Sequence, residues 1–272
     1  MRLIPHASRH WRAMVVWLLG LCGVAWACPK PVYLTFDTGH MGVADVVADV
    51  LKRHEVPATF FLARERTQTG GHSLDDQWAP WWRARVAEGH AFASHTWDHW
   101  VLVPQGDTAS GPWRFKVTQG PQRGQVIVAD AQAYCEQLRK PVQRLLDMTG
   151  HRMAAAFRAP AGRTHEGLRE AARACGFEHV GWSPAGFLGD ELDSVRFPNE
   201  QLLSKALRDI RAGDVLVAHL GIWDRKDPWA PAVLERLVQG LKAQGFCFRT
   251  LRDHPVHGAA FARPAPLEQL RP

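Results

Sequence analysis

The sequence predicts an α/β fold in which a parallel sheet rolls into a barrel with helices outside it. Three observations carry this. Short apolar runs with strand character alternate with amphipathic helical stretches, the pattern of βα units and a parallel sheet. Six or seven such units fall in about 220 residues, the density of a barrel rather than an open sheet. The chain has 272 residues, 46% of them hydrophobic, enough for one large domain or two small ones with a substantial core.

The elements follow in order. VYLTFD (32–37) is a strand, and Val43, Val46, Val47, Val50 and Leu51 are spaced for one helix face. ATFFLA (58–63) is the second strand; a Trp-rich helical segment runs to Gly89, and AFASH (91–95) is the third strand. Residues 100–128 hold no helical period and are rich in Gly, Pro and Gln, so they read as an insertion over one end of the barrel, a hairpin or lid. Asp130 caps a helix that Pro141 should kink or split before Gly150. MAAAFR (153–158) is a strand, Thr164 caps a helix stopped by Gly176, and HVGW (179–182) is the next strand. A helix over Asn199 to Gly213 precedes DVLVAHL (214–220), a buried strand. Val233, Leu234, Leu237, Val238 and Leu241 form the last helix, closed by Gly245 ahead of FCFRTL (246–251). No fixed-period repeat is visible.

Residues 1–27 have the form of a secretory signal peptide: Arg2, Arg9 and Arg12 without an acid, an uncharged run from Ala13, and Ala25-Trp26-Ala27 as a small-x-small cleavage site. The run is shorter than the roughly 18 apolar residues of a membrane span, so the expectation is an exported, periplasmic or extracellular protein with no stable span after cleavage. Lipidation of Cys28 is the alternative. Cleavage removes three arginines from a net charge of +6, leaving too little positive charge, and no aromatic-interleaved basic cluster, for a nucleic-acid partner. Cys28, Cys135, Cys175 and Cys247 remain; four cysteines allow three connectivities, all left open. No C-x-x-C pair is present, so a cysteine-built zinc site is not expected.

The C-terminal ends of the strands carry an unusual set: Asp37, His95, Arg158, Trp182 and His219. Barrel topology puts all five on one face, where the chemistry of such folds collects. His95 and His99 stand four apart in H-T-W-D-H, and a helical turn there would let both imidazoles bind one divalent ion. A third donor is then owed, with Thr38 and His40 nearby.

FDTG, SHTWDH, FRAP and VLVAH, in that order across residues 31–251, resemble the motifs of the polysaccharide deacetylase family (the NodB-homology or carbohydrate esterase 4 group). The resemblance implies a distorted, incomplete (β/α) barrel as a single domain over residues 28–255, with a tail at 256–272. It also implies hydrolysis of an N-acetyl amide on an N-acetylglucosamine polymer, such as chitin or peptidoglycan, assisted by a divalent metal, usually zinc. Matched motif by motif, Asp37 is the catalytic base, His95 and His99 bind the metal, Arg158 orients the base, Trp182 lines the sugar site and His219 is the general acid. Trp223, just past His219, is the further candidate for a sugar platform.

The match has gaps. The family reads T-F-D-D where this chain has Thr38, and a neutral hydroxyl is a weaker ligand than a carboxylate. Three readings follow: two histidines with waters and Thr38, a site rebuilt with His40 or Asp98, or no metal. The aspartate that usually follows the Trp182 position is absent, Asp190 and Asp193 lying further on, so His219 is expected to lack an acidic partner. Ala161 replaces a common tyrosine after R-x-P, loosening the pocket. Trp78, Trp81, Trp82, Trp97, Trp100 and Trp113 read equally as sugar contacts or as core. The alternatives are a metal-independent amidase on the same scaffold and a glycan-binding protein without turnover.

Overall fold

The computed structural model describes residues 28–104 and 111–267. Residues 1–27, where the sequence predicts a signal peptide, lie outside the described residues, as do 105–110 and 268–272. The elements run β1 (Pro31–Asp37), α1 (Ala44–Arg53), β2 (Thr59–Leu62), α2 (Ala79–Ala87), β3 (Ala91–Ser94), β4 (Trp100–Leu102), β5 (Trp113–Val117), β6 (Val126–Ala129), α3 (Ala131–Thr149), β7 (Ala156–Phe157), α4 (Glu166–Ala174), β8 (Glu178–His179), α5 (Asn199–Asp209), β9 (Val215–His219), α6 (Glu235–Ala243), β10 (Cys247–Phe248) and α7 (Gly258–Phe261).

Strand β1 is the hub, and its near-continuous apolar sequence reflects burial on both faces. Its first two residues pair with β10, Tyr33 to Asp37 pair with β9, and Thr35 to Asp37 pair with β2, all parallel. The sheet continues from β2 through β3 and β7 to β8. Between β8 and β9 the barrel is closed by the irregular segment 183–188. Ser183 N–H donates to Val215 O at 3.0 Å, Leu188 N–H donates to Val217 O at 3.3 Å, and Phe187 bridges Val217. This is the expected distorted, incomplete (β/α) barrel in one domain.

The insertion is the expected hairpin, extended to three antiparallel strands in the order β4, β5, β6. It packs on the core by the alternate residues Trp113, Phe115 and Val117, Phe115 lying against Tyr134 and Trp100. Trp82 and Trp113 are fully buried, and Trp78, Trp81 and Trp97 pack on the same core. For these tryptophans the core role prevails.

Several boundaries move. HVGW is a strand only at its start, as β8. The helix near 164 is capped by His165, whose Nδ1 accepts the Leu168 N–H, not by Thr164. Val46 points to solvent, because the buried face of α1 runs through Ala44, Val47, Ala48, Val50 and Leu51. The described part of the tail, residues 256–267, packs on the domain: Phe261 and Ala265 are buried, and Ala265 N–H donates to Met153 O, ahead of β7.

Helix α3 is neither split nor broken at Pro141, and the reason bears on function. Proline has no N–H for the carbonyl four residues back. That carbonyl, of Gln137, instead accepts the N–H of Trp97 at 2.8 Å. The vacancy is filled by the H-T-W-D-H loop.

Among the described residues the cysteines form two disulfides, Cys28–Cys247 and Cys135–Cys175. The first ties the start of the described chain to β10; the second ties α3 to the end of α4. Replacing Cys135 and Cys175 together by serine is expected to lower stability by about 2–4 kcal/mol. An unchanged urea-unfolding midpoint would contradict that.

Candidate active site

The parallel register builds the site. Asp37 and His219 are directly paired residues at the ends of β1 and β9. His95 and Arg158 each follow by one residue the pair Ser94 and Phe157, which joins β3 to β7. Asp37, His95, His99, Trp182, His219 and Trp223 thus face one cavity of about 360 Å³, as expected of strand ends, with Glu65 and Glu191 also in its wall. Gly39 lets the loops after β1 and β9 touch: its φ is 150°, and a Cβ there would stand 2.2 Å from Gly221 O.

Asp37 is almost fully buried. Arg158 Nη1 donates to Asp37 Oδ1 at 2.7 Å, while Nε and Nη2 donate to the carbonyls of Val180 and Gly181. The guanidinium lies 4.0 Å from the Phe61 ring centroid. Burial alone would push the Asp37 carboxyl up, but the charges of Arg158 and His219 and the Arg158 hydrogen bond hold it below the ordinary carboxylate range. Asp37 is therefore ionised at neutral pH.

The two histidines of H-T-W-D-H meet by a route other than a helical turn. Thr96 and His99 adopt positive φ, 61° and 49°, a left-handed backbone that β-branched threonine takes only under constraint. The constraint is visible. Arg64 N–H donates to Trp97 O, Trp97 N–H to Gln137 O, and Asp98 N–H to Gln137 Oε1 at 2.7 Å. The ring centroids of His95 and His99 end 5.0 Å apart.

Both tautomers follow from their partners. His95 Nδ1 faces the Arg158 carbonyl at 3.0 Å and must carry the proton. Thr118 Oγ1 gives its own proton to His99 O, so it accepts from His99 Nδ1 at 2.6 Å. Each imidazole thus keeps a lone pair on Nε2, the form that binds a divalent cation with its other nitrogen held by a backbone or side-chain acceptor. Burial, reinforced by His99 and Arg158, drives His95 down to about 3 despite Asp37, so it stays neutral. The pair fits a cation, although among the described residues no group of three or more His, Cys, Asp and Glu encloses one.

The other candidate ligands fall away. His40 accepts the Gly42 N–H on Nδ1 and packs edge-on against Trp223, lining a neighbouring pocket. Asp98 accepts from Gln137 Nε2 at 3.1 Å and does not line the cavity. Thr38 is fully buried, its hydroxyl accepting from Ala63 N–H and donating to Glu65 Oε1.

His219 does have an acidic partner. Its Nδ1 lies 3.1 Å from both oxygens of Asp190, whose Oδ2 also accepts the His219 N–H at 2.6 Å. Burial lowers the imidazole pKa, but the charge and hydrogen bond of Asp190, with Asp37 and Glu191 beyond, outweigh it and raise the value to about 10. The sequence, with no acid directly after Trp182, led to the expectation that His219 lacks one; Asp190 arrives instead on the segment that crosses back to β9, where Phe187 bridges Val217.

One cavity therefore holds an ionised carboxylate and a protonated imidazole at neutral pH, the division of labour that hydrolysis of an unactivated amide asks of its base and its acid. With this barrel, the site defines a hydrolase of carbon–nitrogen bonds other than peptide bonds. The chain belongs to the polysaccharide deacetylase family, whose sequence profile matches residues 27–180. It is 26% identical over 232 residues to a chitooligosaccharide deacetylase of Azorhizobium caulinodans, covering 81% of this chain and 92% of that one. It is 24% identical over 226 residues to the peptidoglycan-N-acetylmuramic acid deacetylase PdaA of Bacillus subtilis, covering 82% and 71%. Among solved structures it resembles BA3943 of Bacillus anthracis, a family 4 carbohydrate esterase pseudoenzyme, with a TM-score of 0.59 at 18% identity over 83% of this chain and 65% of that one.

Because the folded pKa of His219 is raised, the stability it contributes is complete below the unfolded value near 6.5. That contribution is lost as pH climbs toward about 10. Asp190→Asn should therefore destabilise the protein at pH 6 and much less at pH 10.5. Equal losses at both, in urea unfolding, would show that Asp190 acts by packing alone.

Proposed function

We propose that this chain is an exported, cation-assisted deacetylase that hydrolyses N-acetyl groups on an N-acetylglucosamine-containing polysaccharide or peptidoglycan. The observation that carries the reading is that one cavity holds both Asp37, bonded to Arg158, and His219, bonded to Asp190. The named activities of the relatives support the substrate class, and the character of residues 1–27 supports export.

His95 and His99 would hold the cation through Nε2, and zinc suits two imidazole donors. When bound, it would polarise the acetyl carbonyl and lower the pKa of water at the site. Asp37, aimed by Arg158, takes the proton from the attacking water. His219 gives its proton to the departing amine, because an amine anion is too poor a leaving group to depart unaided. Asp190 keeps the imidazolium oriented and charged until that transfer. Trp223, 54% exposed, gives a sugar ring a face to stack on, and Trp182, packed beside Phe187, lines the same cavity.

The test is acetate release from N-acetylglucosamine oligomers and from peptidoglycan, after chelation and then with added zinc or cobalt. Restored release is expected, with Asp37→Asn and His219→Ala each losing on the order of 10²–10⁴ in kcat. A folded protein that releases nothing under any cation would favour the glycan-binding alternative, for which the Thr38 replacement is the specific observation. Trp223→Ala should raise KM with kcat held, the signature of lost ground-state binding; a loss in kcat alone would place the ring elsewhere in the reaction.

A further inference from the structure

We infer that Glu65 is the acidic member of the cation site, standing in for the carboxylate whose place in the chain is taken by Thr38. The inference rests on the cation-assisted reading above. Two neutral imidazoles bring no negative charge to a divalent ion, and a catalytic zinc site typically uses three protein donors. Asp37 has one oxygen committed to Arg158. Thr38 is sealed below the cavity, its hydroxyl already engaged as acceptor and donor.

That donor bond is the pointer. Thr38 Oγ1 donates to Glu65 Oε1 at 2.7 Å, so the glutamate carboxylate lies one hydrogen bond beyond the side chain at position 38. The topology makes this natural: β1 and β2 run side by side, Thr38 N–H donates to Phe61 O, and residue 65 follows just past the end of β2. The backbone of Glu65 is clamped at both ends by Ser73, whose Oγ accepts the Glu65 N–H and whose N–H donates to Glu65 O. Its side chain joins Asp37, His95 and His99 in the cavity wall. A carboxylate has two oxygens, and Thr38 occupies one, leaving the other for a ligand. Arg158 is paired with Asp37 and Arg64 with Asp75, and the Arg66 guanidinium lies over the Trp223 ring. Glu191, the other acid of the cavity, lies 3.9 Å from His219 Nε2 and belongs to the proton donor. The three donors do not form a closed cluster here; Glu65 is the member with rotatable bonds enough to close it.

Threonine at 38 then has a task. Where an aspartate would bind the ion itself, a threonine orients a longer carboxylate from the loop that follows the neighbouring strand.

The test is calorimetric titration of Co(II) into the chelator-stripped protein, with the visible absorption of bound Co(II) as a second readout. Wild type should bind one ion. Glu65→Gln keeps an oxygen for the Thr38 hydroxyl, so its thermal unfolding should be unchanged while affinity falls by about tenfold or more and the Co(II) spectrum shifts. Adding Thr38→Asp to Glu65→Gln should restore affinity. Wild-type affinity and spectrum in Glu65→Gln would overturn the assignment of Glu65 alone. No Co(II) binding by the wild type would overturn it together with the cation-assisted reading.

Discussion

The ion pair between Asp37 and Arg158 is the interaction on which the site is built. Both side chains are removed from water, a placement that costs several kcal/mol per charge unless each finds compensation. Arg158 finds it three times over: the Asp37 carboxylate, the carbonyls of Val180 and Gly181, and the face of Phe61. Those contacts draw the end of β1, the end of β7 and the chain beyond β8 to one point. They also leave Asp37 Oδ2 facing His95 Nε2 at 3.6 Å, so the bond that makes the aspartate an anion also sets which oxygen meets the chemistry.

A second constraint holds the histidine loop. A loop containing a threonine and a histidine at positive φ is not stable by local preference. It is held by α3, through the carbonyl that Pro141 leaves free and through both ends of the Gln137 amide. A residue that would ordinarily break a helix supplies an acceptor to the cavity's edge instead. The three-stranded insertion adds the other support, since Thr118, just past β5, fixes the tautomer of His99. The insertion is thus a buttress to the site through this contact.

Three departures from the family motifs look like losses in the sequence and differ in the structure. The acid for His219 is present, carried by Asp190 on the closing segment. The threonine at 38 is bonded to a carboxylate from the next strand. The alanine at 161 lies in the cavity wall at a positive φ of 55°, with no bulk to close the space beside Trp182. In the first two cases an acid lies beside the site from another part of the chain.

The sequence by itself determined the barrel, the order of its strands and the residues at their C-terminal ends, because apolar periodicity and strand termini are local properties of the chain. Asp37, His95, Arg158 and His219 were legible for that reason, each as the last residue of an apolar run or the first beyond it. Asp190, Glu65 and Gln137 were not. Each acts by meeting a residue far along the chain, and such meetings depend on which strands neighbour one another and in what register, which no local pattern encodes. The same holds for the disulfide partners and for Pro141, whose helix survives because a loop forty residues earlier takes up the hydrogen bond it cannot make.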